Sequence, residues 1–280
     1  MGPVLLALTS ALAYGVSDFF GGLAARRVAV LRAIVVAYPV SAVIMTVIAV
    51  SAGGVPTVPA LTWGAFSGLA IAAAAWTFYA ALGSGPISIV SPLTALVSAA
   101  IPLLVGLGLG ERPDVSSLLG VGLALVAVVL VSLSPHADTK ATHPFTVHVG
   151  MLTLAAGTFF ALSVIFTGQI PAGSGLWPLM VARWAATAAI LVVAASLRSL
   201  APPRGSSLAY AGAVGVLDCI AHMAMLAALQ QGLLSVGSVV IALFPAVTVV
   251  LAVVLLRERL TPVQLVGLAL GVGAIALVSL

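Results

Sequence analysis

Residues 119–133 read LGVGLALVAVVLVSL, and residues 266–280 read VGLALGVGAIALVSL, with the same last three residues. Both segments end a longer ungapped match in which residues 63–133 align with residues 210–280 at a constant offset of 147. Small residues recur at matched positions: Gly68 and Gly215, Gly85 and Gly232, Ser88 and Ser235, Ser91 and Ser238, Gly120 and Gly267. The match indicates that the chain contains two copies of one structural unit.

The composition of these copies excludes a soluble fold. Hydrophobic residues make up 62% of the 280 residues and charged residues only 6%, and the mean hydropathy is +1.32. A soluble domain is about a quarter charged. Apolar stretches of about 20 residues, the length that crosses a hydrocarbon core, recur along the chain, whereas a barrel would show alternating segments of about ten. We therefore expect an all-α integral membrane protein.

Proline, glycine and charged residues divide the chain into ten predicted transmembrane helices. They lie near residues 3–24, 33–51, 61–82, 88–109, 116–133, 147–168, 177–197, 208–229, 235–256 and 262–280. The longest polar break separates a first unit, 1–133, from a second, 147–280, with 134–146 as the linker. Because five is an odd number of crossings, the second unit enters from the opposite face. The fold class is thus two inverted five-helix repeats, which place a central site at their interface.

Enzymatic, redox and nucleic-acid functions find little support in the sequence. The single cysteine, Cys219, has no partner for a disulfide or a thiolate metal site. The excess of basic residues, a net charge of +4, is spread over helix ends instead of forming a patch for nucleic acid. No Walker loop, zincin motif or nucleophile elbow occurs. We expect no cofactor and no bound metal.

The ends of the fourth and ninth helices carry a recurring motif, Gly110-Glu111-Arg112 in the first copy and Arg257-Glu258-Arg259 in the second. With the Gly-rich fifth helix of each copy, the whole chain resembles the EamA-type branch of the drug/metabolite transporter superfamily. Pro245, thirteen residues before Glu258, fits the usual motif, but its counterpart is Ser98.

The resemblance implies a ten-helix transporter without ATPase domains in the plasma membrane, here of a bacterium. Its central cavity would be lined by the first, third, fourth, sixth, eighth and ninth helices. The expected partners are a small-molecule solute and the lipid bilayer, with coupling to a proton or cation. An intramembrane enzyme and a channel or assembly subunit are the alternatives. Neither the substrate nor the oligomeric state is indicated.

Four ionisable residues lie inside predicted spans, where a charge costs at least about 2.5 to 3.5 kcal/mol: Asp18, Arg183, Asp218 and His222. Asp218 and His222 are four residues apart on the eighth span, so they share one helix face. A carboxylate beside an imidazole can hold and exchange a proton near neutral pH. We predict a proton-coupling or cation-binding pair; the alternative is a structural contact with a neighbouring helix.

The other two ionisable residues have competing interpretations. Asp18 has no acidic counterpart in the second copy, and it either contacts the solute or pairs with Arg183 or with nearby basic helix ends. Arg183 lies some two turns inside the seventh span and is expected to extend outward to the membrane surface. Binding of a substrate carboxylate is its alternative role.

Aromatic side chains are predicted to shape the cavity wall. Trp76 and Tyr79 are three residues apart on the third span, and Tyr14 lies on the first. Ring faces suit an apolar or cationic solute, although core packing explains Trp76 and Tyr79 equally well. The matched acid and base residues at the helix ends are interpreted as conformational latches or boundary markers: Glu111, Arg112, Glu258 and Arg259.

The distribution of basic residues predicts the orientation. The odd-numbered loops contain Lys140 and seven arginines, whereas the even-numbered loops contain only Arg112. The positive-inside rule therefore places the odd-numbered loops in the cytoplasm and both termini outside, although members of the resembled family usually have cytoplasmic termini.

A reporter that is active only in the cytoplasm, fused after Leu280, should stay inactive. Strong activity of that fusion would show cytoplasmic termini.

Overall fold

The computed structural model of the protein describes residues 2–133, 145–257 and 260–279. Within these ranges the regular structure consists of eleven helices and no strand, which confirms the all-helical prediction. The helices are α1 (Gly2–Ala25), α2 (Val30–Ala52), α3 (Val58–Ser84), α4 (Ile87–Gly108), α5 (Val115–Ser132), α6 (Val147–Gly168), α7 (Trp177–Ser196), α8 (Ser206–Gln231), α9 (Leu234–Ile241), α10 (Phe244–Leu256) and α11 (Pro262–Val278).

Nine segments of the described chain are long and apolar enough to cross a membrane. Eight of them correspond to α1 through α8, and the ninth joins α9 and α10 over Leu234–Leu256. α11, with 17 residues, is the shorter tenth apolar helix. Helices dominate because a backbone surrounded by lipid must satisfy its hydrogen bonds within its own segment.

The ninth span is not the continuous helix that its apolar pattern predicts. α9 ends at Ile241 and α10 begins at Phe244. Pro245 is the second residue of α10, and it has no N–H to donate to the Ile241 carbonyl. Its counterpart Ser98 lies inside the unbroken α4. The break therefore occurs where the two copies differ in sequence.

Polar caps define two of the helix starts outside the apolar core. Asp114 accepts a hydrogen bond from the Ser117 nitrogen at 2.9 Å and begins α5. Hydrogen bonds from Ser117 and Ser116 lower the pKa of the exposed Asp114 carboxyl. Thr261 begins α11 through a capping box with Gln264. These caps satisfy backbone N–H groups that have no partner inside the helix.

The two copies are interlocked. α1 packs mainly against α8, and its counterpart α6 packs against α3. α5 lies against its own counterpart α11, and α2 lies against α7. Each of these helices contacts an element of the other copy, and every contact has a reciprocal one. This arrangement fits the predicted inverted repeats.

Matched glycines allow the closest approaches between the copies. A Cβ atom at Gly68 in α3 would overlap the backbone of Ala182 in α7. In the other copy, a Cβ atom at Gly215 in α8 would lie 2.6 Å from the carbonyl oxygen of Ala37 in α2. The matched glycines Gly120 of α5 and Gly267 of α11 each lie against the partner helix in the same way. Small residues serve this purpose because helices in lipid associate through close packing.

The helix ends form two faces, which we call the terminal face, where α1 begins and α11 ends, and the opposite face, where α1 ends. At the terminal face the loop after α2 lies against the loop after α6. Val55 donates a backbone hydrogen bond to Gly173 at 3.4 Å. Gly54 and Gly175 approach closely, and both have positive φ angles. Because Gly54 and Gly175 have no side chains, the backbones of the two loops lie in close contact at the terminal face.

Alanine substitutions should separate the packed glycines from the free ones. Gly68→Ala and Gly215→Ala should each destabilise the protein by about 1 to 3 kcal/mol, because the new methyl group meets backbone atoms that cannot rotate away. Gly83→Ala in α3 and Gly212→Ala in α8 are matched controls, since nothing lies within 4 Å of a Cβ there. The controls should keep or raise stability, because alanine favours helix.

The measurement is the temperature at which the detergent-solubilised protein loses its monodisperse size-exclusion peak. Equal behaviour of all four variants would contradict the proposed role of the glycines.

Candidate functional site

The centre of α8 carries the predicted acid and imidazole. Asp218 Oδ1 lies 3.3 Å from His222 Nδ1. The same nitrogen is 2.9 Å from the Asp218 carbonyl oxygen. His222 is buried, whereas the Asp218 side chain is 15% exposed. The predicted proximity is therefore confirmed, and one turn of helix provides it.

Arg183 of α7 forms an ion pair with the other carboxylate oxygen, Asp218 Oδ2. Its side chain is only 2% exposed, so the prediction that it extends to the membrane surface is wrong. Its partner is Asp218, not Asp18. A buried carboxylate on the neighbouring helix compensates the charge, and an uncompensated buried charge is strongly destabilising. No described residue pairs with the buried Arg183 Nε.

α2 contributes two polar residues that the sequence analysis missed. Ser41 Oγ donates to Asp218 Oδ2 at 3.1 Å, and Cys219 Sγ donates to the Ser41 carbonyl oxygen at 3.1 Å. Tyr38, one turn earlier, packs against a buried apolar cluster between α2, α3 and α7. The sequence did contain a signal for this contribution of α2, because Tyr38 and Ser41 are two polar residues three positions apart in the middle of an apolar span.

Tyr14 extends this group to α1, a second helix of the first copy. Its hydroxyl lies 2.8 Å from both ring nitrogens of His222. The two rings meet edge to face, with centroids 5.1 Å apart. One turn earlier, Ser10 donates to the Ala221 carbonyl oxygen at 2.8 Å, which holds α1 against α8. We call five side chains the central polar cluster: Tyr14, Ser41, Arg183, Asp218 and His222.

A cavity of 250 Å³ lies beside this cluster. It is bounded by the last turns of α1 and α10 and by the start of α11, so it lies at the opposite face. Asp18 is exposed in this structure and lines the cavity together with Arg26, Thr248 and Gln264. Asp18 follows Tyr14 by one helical turn on α1. The cavity and the central polar cluster are therefore neighbours on one face of α1.

The two predicted aromatic residues of α3 have different surroundings. Tyr79 packs with Tyr38 against a buried cluster between α2, α3 and α7. Trp76 is 42% exposed and does not belong to that cluster. The structure thus places Tyr79 beside Tyr38 in this buried cluster, whereas Trp76 lies outside it.

Two of the four residues predicted as latches or boundary markers are described. The Glu111 carboxylate accepts hydrogen bonds from the backbone nitrogens of Leu234 and Ser235 at 2.7 and 2.8 Å. Arg112 is exposed. Glu258 and Arg259 lie outside the described residues. Glu111 therefore links the end of α4 to the start of α9.

The side chains of the site offer charge, hydrogen bonds and a titratable imidazole. Within residues 2–133, 145–257 and 260–279, no three His, Cys, Asp or Glu residues lie together as metal ligands would. The arrangement can bind a polar solute and move a proton between neighbouring groups.

An inverted helical repeat around a buried polar cluster is typical of helical membrane transport proteins. The chain belongs to the EamA-like transporter family, whose profile matches residues 1–133 and 149–280. That family lies within the drug/metabolite transporter superfamily, as the sequence motifs indicated.

Comparison with individual proteins gives the fold but no substrate. None of the curated proteins matches the chain. A solved structure described as "Crystal structure of protein" is similar to it, with a TM-score of 0.78. The similarity covers 98% of this chain and 95% of that chain at 17% sequence identity. At this identity the likeness supports the shared fold alone.

The Arg183–Asp218 ion pair should dominate stability. Arg183→Met or Asp218→Asn alone should cost about 3 to 5 kcal/mol, because each single change leaves a charge or a polar group without its partner. The double variant should be more stable than at least one of the single variants. Thermal unfolding of the purified protein in detergent measures the three variants. Strictly additive losses in the double variant would show that the two side chains are not coupled.

Proposed function

We propose that the protein is a proton-coupled secondary transporter that works by alternating access. Its solute is a small metabolite, amino acid, amine or drug that crosses the cytoplasmic membrane. The observation that carries this proposal is the contact between the Tyr14 hydroxyl and His222, since it joins a titratable group of the second copy to α1 of the first.

Alternating access is supported by the arrangement of the two copies. Inverted repeats have two related conformations, in which opposite faces of a central site are open. The terminal face is packed through Gly54 and Gly175, whereas the opposite face contains the cavity lined by Asp18. The described conformation is accordingly interpreted as open toward the opposite face.

Proton coupling is supported by the hydrogen bonds around His222. When the imidazole is neutral, one ring nitrogen accepts; when it is protonated, both nitrogens donate. Protonation therefore requires the Tyr14 hydroxyl to act as an acceptor, and it adds a positive charge beside the Arg183–Asp218 ion pair. Because Tyr14 belongs to α1, a change in this contact acts on the helix that bounds the cavity. His222 is the proposed proton site in this scheme.

Solute binding is assigned to the cavity. Asp18 provides a carboxylate for a cationic part of the solute, and Thr248 and Gln264 provide hydrogen-bonding groups. Tyr79 and Trp76 remain candidates for an aromatic wall, with Tyr79 favoured by its position beside Tyr38. Arg183 is already neutralised by Asp218, which argues against its direct use for a substrate carboxylate.

Two rival functions can be tested directly. An intramembrane enzyme would release altered solute, so recovery of unchanged radiolabelled solute inside reconstituted vesicles would exclude it. A channel would show neither saturation nor acceleration by solute on the far side. The solute itself can be found by a thermal-shift screen of amino acids, amines, nucleosides and drugs, because a ligand that binds only the folded state raises its apparent stability.

Removal of the Tyr14 hydroxyl should uncouple transport. Tyr14→Phe keeps the ring but loses the contact with His222, and we expect proton-driven uptake to fall about tenfold or more. Exchange of labelled for unlabelled solute, which needs no net proton movement, should be reduced much less. Tyr210→Phe is the matched control, because Tyr210 stacks on Phe20 outside the central polar cluster. Both assays use proteoliposomes with an imposed pH gradient.

His222→Gln should reproduce the uncoupling, since it removes the titratable group itself. Normal proton-driven uptake by both Tyr14→Phe and His222→Gln would overturn the coupling proposal.

A further inference from the structure

We propose that Glu111 is a one-sided latch that keeps the terminal face closed and makes the described conformation the resting state. This inference rests on the proposed alternating access, and it assigns a positioning role to a residue outside the central polar cluster. The carboxylate lies at the end of α4 in the first copy, and both of its oxygens are bound by the second copy.

The geometry of this contact is that of a charged helix cap. Leu234 N donates to Glu111 Oε1 at 2.7 Å, and Ser235 N donates to Oε2 at 2.8 Å. These are the first two residues of α9. The N–H groups at a helix start have no partner within the helix and carry partial positive charge. A carboxylate that accepts two of them forms strong, charge-assisted hydrogen bonds.

A glycine provides the space for this contact. A Cβ atom at Gly106 would lie 2.9 Å from the Ser235 nitrogen and would also press on the Glu111 carboxylate. The Glu111 nitrogen in turn donates to the Gly106 carbonyl oxygen at 3.1 Å, which fixes the turn. The second copy has Val253 at the position that matches Gly106. A glycine therefore provides this space in the first copy, where the second copy has a larger side chain, and this sequence difference is why we infer a one-sided latch.

The position of α9 explains how the latch would control access. The start of α9 lies at the terminal face, where Gly232, just before it, packs on Pro3 of α1. Its end is separated by the break at Ala242 and Leu243 from α10, which lines the cavity at the opposite face. While Glu111 holds the start of α9, α4 and α9 cannot separate at the terminal face.

The test measures the accessibility of each face by thiol labelling in lipid nanodiscs, and it needs neither a solute nor a proton gradient. In a Cys219→Ala background, Ala7→Cys reports on the terminal face, because Ala7 is fully buried in α1. Ala252→Cys reports on the opposite face, because Ala252 lines the cavity. A water-soluble maleimide is the probe for both.

Glu111→Gln should raise the labelling rate of the Ala7→Cys reporter about tenfold and lower that of the Ala252→Cys reporter. Gly106→Ala keeps the carboxylate but fills its space, and it should shift both rates in the same direction. Arg112→Gln is the matched control, since it removes a charge from the neighbouring exposed position, and it should leave both rates unchanged.

The outcomes distinguish a latch from a general loss of structure and from no effect. Opposite shifts at the two reporters support the latch, whereas a general loss of structure would raise both rates. Unchanged rates in Glu111→Gln and Gly106→Ala, with intact size-exclusion profiles, would overturn the latch and leave the transport proposal standing. Opposite shifts together with normal proton-driven uptake by Tyr14→Phe and His222→Gln would instead reject the coupling proposal while retaining the conformational role of Glu111.

Discussion

Close contact between helix backbones is the constraint on which the whole structure depends. Lipid tails solvate apolar side chains about as well as a neighbouring helix does, so burial of apolar surface alone does not hold a membrane bundle together. Glycines such as Gly68 and Gly215 permit carbonyl groups of the adjacent helix to approach where any side chain would collide. Because these glycines occur in matched pairs, the same close helix packing occurs in both copies. The central site lies where these two packed regions meet.

The two copies share their packing but not their chemistry. Contacts of Gly68 with Ala182 and of Gly215 with Ala37 establish which positions correspond in α2 and α7. The first copy has uncharged residues at the positions of the three ionisable ones: Tyr38 for Arg183, Ile71 for Asp218 and Ala75 for His222. One half of the centre is thus charged, and the other is aromatic and apolar. If the two copies exchanged conformations, the charged half of the centre and its aromatic, apolar half would therefore move in related ways although their chemistry differs.

Sequence patterns were sufficient to predict those features of the fold that the bilayer constrains directly. Span length, the internal duplication and the i to i+4 pairing of Asp218 with His222 all follow from one helix or one repeat. Contacts between helices far apart in sequence were harder to foresee. Arg183 was expected at the surface because its distance from the membrane boundary was visible in the sequence, whereas its distance from Asp218 was not. The helix break before Pro245 was also missed, because a proline within an apolar span does not by itself predict a break: Pro92 and Pro102 lie inside the unbroken α4.

The lengths of α5 and α11 have a consequence for the surrounding membrane. These two helices pack against each other and contain 18 and 17 residues. At a rise of about 1.5 Å per residue they extend about 25 to 27 Å, less than the hydrocarbon core of about 30 Å. The 24 residues of α1, by contrast, exceed it. The bilayer beside α5, whose two ends both lie inside the chain, is therefore expected to be thinner than the bilayer beside α1.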